Sequence, residues 1–189
     1  MFLAESWSDV IRVVVKIYHP STNPDPRVIK RVSACGIQQL PGIYEHGENE
    51  GSYYEVIKYY ESGSFRHRIG VGRPMPALVC RVVLQDVMAA LMEIHRPDEQ
   101  GRYIVHRDIK PENILILATQ PFLLVLSDFR NSRILAGPIL GNASKDFTLR
   151  YVALECLGGD VSSKCDYWSL GMVLLEALTG MYPFDGLGD

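Results

Sequence analysis

The stretch His106-Arg107-Asp108-Ile109-Lys110-Pro111-Glu112-Asn113 decides how this chain is read. From Asp108 to Asn113 it sets a carboxylate, an ammonium and a carboxamide within six positions, and Pro111 keeps the segment from becoming helix. Each group has a use where a phosphoryl group moves. The carboxylate can accept the proton of an attacking hydroxyl, the lysine can neutralise phosphate charge, and a carboxamide oxygen suits a hard cation. A solvated polar loop between a helix and a strand is the plainer explanation, but such loops rarely hold this ordered set.

Just downstream, residues 114–117 and 123–126 read as short apolar strands around a loop containing Pro121. An antiparallel hairpin there returns the chain, so that Asp128 falls beside Asn113 and both can face one Mg²⁺. Alone, an aspartate at a strand end is a turn-former; the hairpin following the polar loop gives it a second use. Upstream, residues 77–94 are mostly apolar, with Arg81, Gln85 and Glu93 on one face, a stripe narrow enough to predict a helix buried over most of its circumference. Residues 128–155 read as irregular, and residues 167–178 as a core helix, apolar nearly all round.

The first third of the chain has a different texture. Residues 10–18 form a β-branched run that predicts a buried strand carrying Lys16, although a lysine in such a run is, taken alone, more often a guard on a sheet edge. Residues 19–27, with three prolines, predict a loop, and residues 28–39 a short helix weakened by Gly36. Residues 43–44 and 53–60 predict strands flanking a turn over 47–52. Strands first and helices second predict an α+β fold with a strand-rich lobe and a helical lobe.

Composition narrows the function classes. At 189 residues the chain fits one domain or two small lobes, and 47% hydrophobic residues is ordinary for a globular core. A net charge of −3 with pI near 6.0 argues against a nucleic-acid or membrane-surface binder. Cys35, Cys80, Cys156 and Cys165 show no metal-ligand spacing with the histidines and read as reduced interior thiols. The longest apolar run, 170–178, is too short to span a bilayer and contains Glu176; residues 1–9 lack the pattern of a signal peptide, so a cytoplasmic protein is expected. There is no internal repeat and no low-complexity tract.

Taken together, these motifs resemble the protein kinase family. Residues 106–113 resemble its catalytic loop, Ser127-Asp128-Phe129 its metal-binding motif, and Thr148, Tyr151, Ala153 and Glu155 the end of its activation segment. Asp166-Tyr167-Trp168-Ser169-Leu170-Gly171 resembles the start of the buried helix that supports the catalytic loop, and Val13-Val14-Val15-Lys16 the strand bearing the nucleotide lysine. The resemblance covers nearly the whole chain and implies a two-lobed, truncated kinase-like fold: an N-lobe over 1–57, a hinge over 58–63 and a partial C-lobe over 64–189. It implies ATP and Mg²⁺ as cofactors, a protein substrate, and serine/threonine rather than tyrosine acceptors because of Lys110. It makes Asp108 the catalytic base with Lys110 beside it, Asn113 and Asp128 the metal ligands, and Lys16 the phosphate contact. Ile57 matches the residue guarding the hinge, and the backbone of Lys58, Tyr59 and Tyr60 would meet adenine. Asp166 would hold the catalytic-loop backbone, next to His106 and Arg107. Arg107 would receive a phosphate on the activation segment, with Ser144 a candidate acceptor, and Thr148 would belong to the substrate-binding turn.

Five features depart from the family pattern. No glycine precedes Lys16, so the resemblance starts after the Gly-rich phosphate loop; no glutamate lies between Ile17 and Tyr44, where the family's partner for the lysine should fall near Arg31. Arg130 replaces a glycine, predicting a side chain strained at positive φ at a cost of about 1–2 kcal/mol. Leu154 stands in place of a proline, and the match stops shortly past the buried helix, which predicts an uncovered apolar surface near the end of the chain. These departures keep a pseudokinase acting as a nucleotide-binding or scaffolding module as the rival reading. A small-molecule phosphotransferase of kinase-like fold is a third reading, disfavoured by the activation segment and the 166–171 motif. The open apolar surface predicts self-association or a covering partner.

Overall fold

The computed structural model of the protein describes residues 2–5, 11–141, 149–182 and 184. Strand β1 (Phe2–Glu5) pairs antiparallel with β2 (Arg12–Ile17). Asp25 caps the next element, accepting from the Arg27 amide at 3.0 Å, and Pro26 supplies a preset first turn for helix α1 (Pro26–Ser33). Its inward stripe of Val28, Ile29 and Val32 is buried. The helix stops at Ser33 rather than at residue 39: the Cys35 amide tightens onto the Val32 carbonyl at 3.1 Å, and Gly36 offers little to prolong it. Strands β3 (Ile43–Asn49) and β4 (Ser52–Lys58) complete a sheet of order β1-β2-β4-β3.

Two sequence expectations change here. The strand expected to be buried over 10–18 runs only from Arg12 to Ile17, exposed at both ends and half-buried between, and the turn expected over 47–52 contracts to Glu50 and Gly51. Both have positive φ, 51° and 75°, the two-residue hairpin geometry that matches the twist of the flanking strands.

The helical region is built on α2 (Ala77–Ile94), whose bounds are those expected. β5 (Tyr103–Val105) pairs with β8 (Arg133–Leu135), and β8 lies inside the segment expected to be irregular. Between them lies the predicted antiparallel hairpin, β6 (Ile114–Thr119) with β7 (Phe122–Leu126). Helices α3 (Leu154–Leu157) and α4 (Lys164–Thr179) follow. Val83, Val87, Ala90 and Leu91 of α2 meet Ile114, Ile116, Leu124 and Leu126 of the hairpin and Leu170, Val173 and Ala177 of α4 in one core. Burying each of the larger side chains contributes about 1.5–3 kcal/mol. One inward residue of α2 is an acid. Asp86 accepts from the Leu124 amide at 2.9 Å and from Gln39 Nε2 at 3.2 Å, so it ties the helix to the hairpin rather than joining the polar stripe.

Helix α4 is less buried than its composition predicts. It sends Asp166, Leu170, Val173 and Ala177 inward, but Tyr167, Trp168, Leu175 and Leu178 are 40–46% exposed. It ends at Gly180 with φ of 69°, where a Cβ would come within 2.4 Å of the Arg73 amide nitrogen, so only glycine fits this close approach. All four cysteines are free thiols. Among the described residues no helix is long and apolar enough to cross a membrane.

Candidate active site

The segment leaving β5 crosses to a short 3-10 turn, Pro111–Asn113, that opens β6. An irregular backbone of this kind needs partners for its amides. Asp166, fully buried in the first turn of α4, provides them: its two carboxylate oxygens accept from the His106 and Arg107 amides, each at 2.8 Å. His95 Nε2 lies 2.8 Å from the same carboxylate. Arg107 sits at φ 68°, a costly conformation for a side-chain-bearing residue, and the bond from its amide to Asp166 helps to hold it there. Its guanidinium donates to the Asn131 carbonyl at 3.3 Å.

His106 links this loop to the next. Its buried ring lies 3.1 Å from the Ser127 carbonyl and packs edge-on to Phe129, with centroids 4.8 Å apart. Burial pushes the imidazole pKa down, against the opposing pull of Asp166, Asp108 and Asp128, which leaves the ring neutral.

The three groups singled out in the sequence meet. Lys110 Nζ lies 2.9 Å from Asp108 Oδ2, while Asn113 Nδ2 donates to the Asp108 carbonyl at 2.8 Å and to Oδ2 at 3.0 Å. Ile114 pairs with Leu126 across the hairpin, and the Ser127 amide donates to the Asn113 carbonyl at 2.8 Å, which brings Asp128 alongside Asn113. The strain expected at Arg130 falls elsewhere. Asp128 is the residue at positive φ, 67°, whereas Arg130 lies within the 3-10 turn Phe129–Asn131. Aspartate tolerates the left-handed region better than most residues, so no glycine is needed two positions later.

Across from Asp128 stands Lys16 of β2, its ammonium 3.6 Å from Oδ1. Burial would raise the Asp128 pKa, but Lys16, Arg130 and His106 outweigh it and hold the carboxyl below the usual carboxylate range. Lys16, Asn113 and Asp128 line one cleft of about 200 Å³ together with Val14, Ile57 and residues 58–60. Ile57 is buried; the Tyr60 hydroxyl accepts from the Gly42 amide at 3.1 Å, and the Lys58 ammonium lies 5.9 Å from the Tyr60 ring centroid. A larger hollow of about 550 Å³ lies against Arg66, Leu175 and Tyr182, but Lys16, Asn113 and Asp128 meet at the smaller one. Among the described residues no group of three His, Cys, Asp or Glu could hold a metal alone. Two oxygen-bearing side chains, Asn113 and Asp128, fit Mg²⁺, which keeps several waters and shares its coordination with substrate phosphates.

Ser144 and Thr148 lie outside the described residues. Glu155 is exposed on α3, its backbone carbonyl accepting from Gly158 and Asp160. Arg31, the position nearest the expected helix carboxylate, turns away from Lys16: it donates to the Arg102 carbonyl at 2.9 Å, reaches the Arg96 carbonyl and pairs with Asp98 at 3.9 Å. An ion network around Arg66 had no motif to announce it. The guanidinium bonds Glu112 of the 3-10 turn and Glu176 of α4, each at 2.7 Å, and also reaches the Tyr151 hydroxyl, which donates to Glu176 at 2.7 Å. The visible signal was a glutamate inside the apolar helix. Burial opposes ionisation of Glu176, yet its bonds to Arg66 and Tyr151 prevail and lower its pKa.

Known proteins resemble this chain in sequence. The sequence model of the protein kinase domain matches residues 19–189. The serine/threonine-protein kinase PrkC of Bacillus subtilis is 29% identical over 98% of this chain, and cds1 of Schizosaccharomyces pombe is 32% identical over 83% of it. PknB of Mycobacterium leprae is 31% identical over 92%. The matched regions are 29%, 34% and 29% of those proteins, so the chain spans about a third of the curated relatives it matches. With the match running through β3, β4, the catalytic-loop residues and α4, the chain belongs to the protein kinase domain family.

Proposed function

We propose that the protein is a serine/threonine protein kinase, transferring the γ-phosphoryl group of ATP to a protein hydroxyl with Mg²⁺. The observation that carries this reading is the convergence of Asp108, Lys110 and Asn113 at 2.8–3.0 Å on a loop whose Asn113 lines one cleft with Asp128 and Lys16. The relatives named as serine/threonine kinases support the acceptor class. Residues 58–60 would receive adenine along their backbone, and Lys16 would meet the phosphates. Mg²⁺ held by Asn113 and Asp128 would neutralise charge on the phosphates.

In the transfer, the substrate hydroxyl oxygen bonds to the γ-phosphorus as the bond to the bridging oxygen breaks and ADP leaves. Asp108 accepts the hydroxyl proton, and Lys110 offsets charge on the moving group. Asp166 keeps the loop in place through the His106 and Arg107 amides. We take 1–57 as the small lobe, 58–63 as the hinge and 64–189 as the partial large lobe, acting on protein in the cytoplasm. The exposed apolar side chains of α4 support self-association or a covering partner.

The test is transfer of labelled γ-phosphate from ATP to a serine/threonine peptide mixture. Asp108→Asn should lower it by about 10²–10⁴-fold with the unfolding midpoint little changed. Transfer that persists in Asp108→Asn, or label appearing on tyrosine alone, would overturn the assignment.

A further inference from the structure

Lys16 needs more than one carboxylate near it. Its ion pair is to Asp128, at 3.6 Å, and a carboxylate engaged by a metal has less charge left to offset the lysine. Helix α1, over Pro26–Ser33, offers no acid, and Arg31 points to the 96–102 loop instead. The sheet itself supplies one. In the antiparallel register of β2 and β4, Lys16 stands directly opposite Glu55, and Val14 opposite Ile57. Directly paired residues project from the same face of a sheet, so Val14, Lys16, Glu55 and Ile57 form one row. Three of the four line the cleft, while Glu55 is 4% exposed and does not.

Glu55 is held in place. The Tyr18 hydroxyl, one alternation beyond Lys16 on the same chain, donates to its Oε1 at 2.8 Å. A carboxylate this buried is costly unless a cation neutralises it, and Lys16 is the nearest cation in the register. Burial raises the Glu55 pKa, and Lys16 is the largest influence opposing it.

We propose that Glu55 is the positioning residue for Lys16: a buried carboxylate that fixes the ammonium from behind, so that it addresses nucleotide phosphates while Asp128 remains free to serve the metal. The proposal rests on the kinase reading above. Glu55 touches neither substrate nor metal and acts through the lysine.

A double-mutant cycle on the full chain tests it, with MgADP and adenosine dissociation constants read by calorimetry for Glu55→Gln, Lys16→Met and the pair. Glutamine keeps an oxygen for the Tyr18 hydroxyl and removes only the charge. Glu55→Gln should weaken MgADP about tenfold and leave adenosine, which has no phosphates, unchanged. The double variant should bind MgADP no more weakly than Lys16→Met alone. Glu55→Asp, which keeps the charge, should retain affinity within about threefold, and it serves as the reference if the glutamine variant unfolds. Additive losses, equal losses for adenosine, or loss of MgADP affinity in Glu55→Asp as large as in Lys16→Met would each overturn Glu55's role while leaving the kinase reading intact. Absence of MgADP binding by the unaltered chain would overturn both.

Discussion

The two walls of the cleft are built on different plans. On the helical side, the acid, amide and lysine lie within six positions of sequence, and one fully buried aspartate, Asp166, grips their backbone. On the sheet side, Lys16 pairs with Asp128, distant in sequence and across the cleft, and stands opposite Glu55 in the strand register. The first arrangement is rigid because its polar atoms are paired out of water. The second shows one ammonium in a 3.6 Å ion pair across the cleft, so its aim depends on what else holds it.

The largest expected effect breaks the rigid side. Asp166→Ala would leave the buried His106 and Arg107 amides and His95 without their common acceptor, and should cost about 3–5 kcal/mol in denaturant unfolding. A cost below about 1 kcal/mol would mean the loop is held by something else.

Glu176→Gln probes how the same side is tied to α4, and should cost about 2 kcal/mol near neutral pH because the bonds from Arg66 and Tyr151 to a charged carboxylate weaken. The pH dependence has a definite sign. The folded pKa of Glu176 lies below its unfolded value, so its stabilisation is complete above the unfolded pKa and fades as pH falls through the folded one. Unfolding midpoints followed down the acid range should therefore show a shallower loss in Glu176→Gln than in the unaltered protein.

On the sheet side, Arg31→Ala removes the bonds that dock α1 onto residues 96–102. It should cost about 1 kcal/mol and speed amide exchange in α1, leaving the catalytic-loop amides protected. The smallest effect is expected of Arg130→Gly. With positive φ at Asp128 and not at Arg130, glycine relieves no strain, and stability should change within about 0.5 kcal/mol with no gain in phosphoryl transfer. A clear gain would show that residue 130 is strained after all.

The comparison also explains what could be read in advance. The catalytic loop, the hairpin and helix α2 were legible because their signals are local: a proline, a polar triplet, short apolar runs and one long periodic segment. The ends of elements were not. α1 stops at Ser33, β3 runs on to Asn49, and β1 and β8 escaped notice, because ends and short strands are set by caps, turns and pairing partners more than by propensity.

The sequence by itself determined the family and the identity of the groups that meet at Asp108, since those groups are neighbours along the chain. Only the tertiary structure decided that Asp128 carries the left-handed backbone, that Arg31 serves the 96–102 loop, that Arg66 joins Glu112 to Glu176, and that Lys16 faces Glu55. Pairing between strands and bonds between distant side chains depend on register and packing, which a short-range pattern does not encode. A buried charge finds its partner in space, wherever that partner lies in sequence.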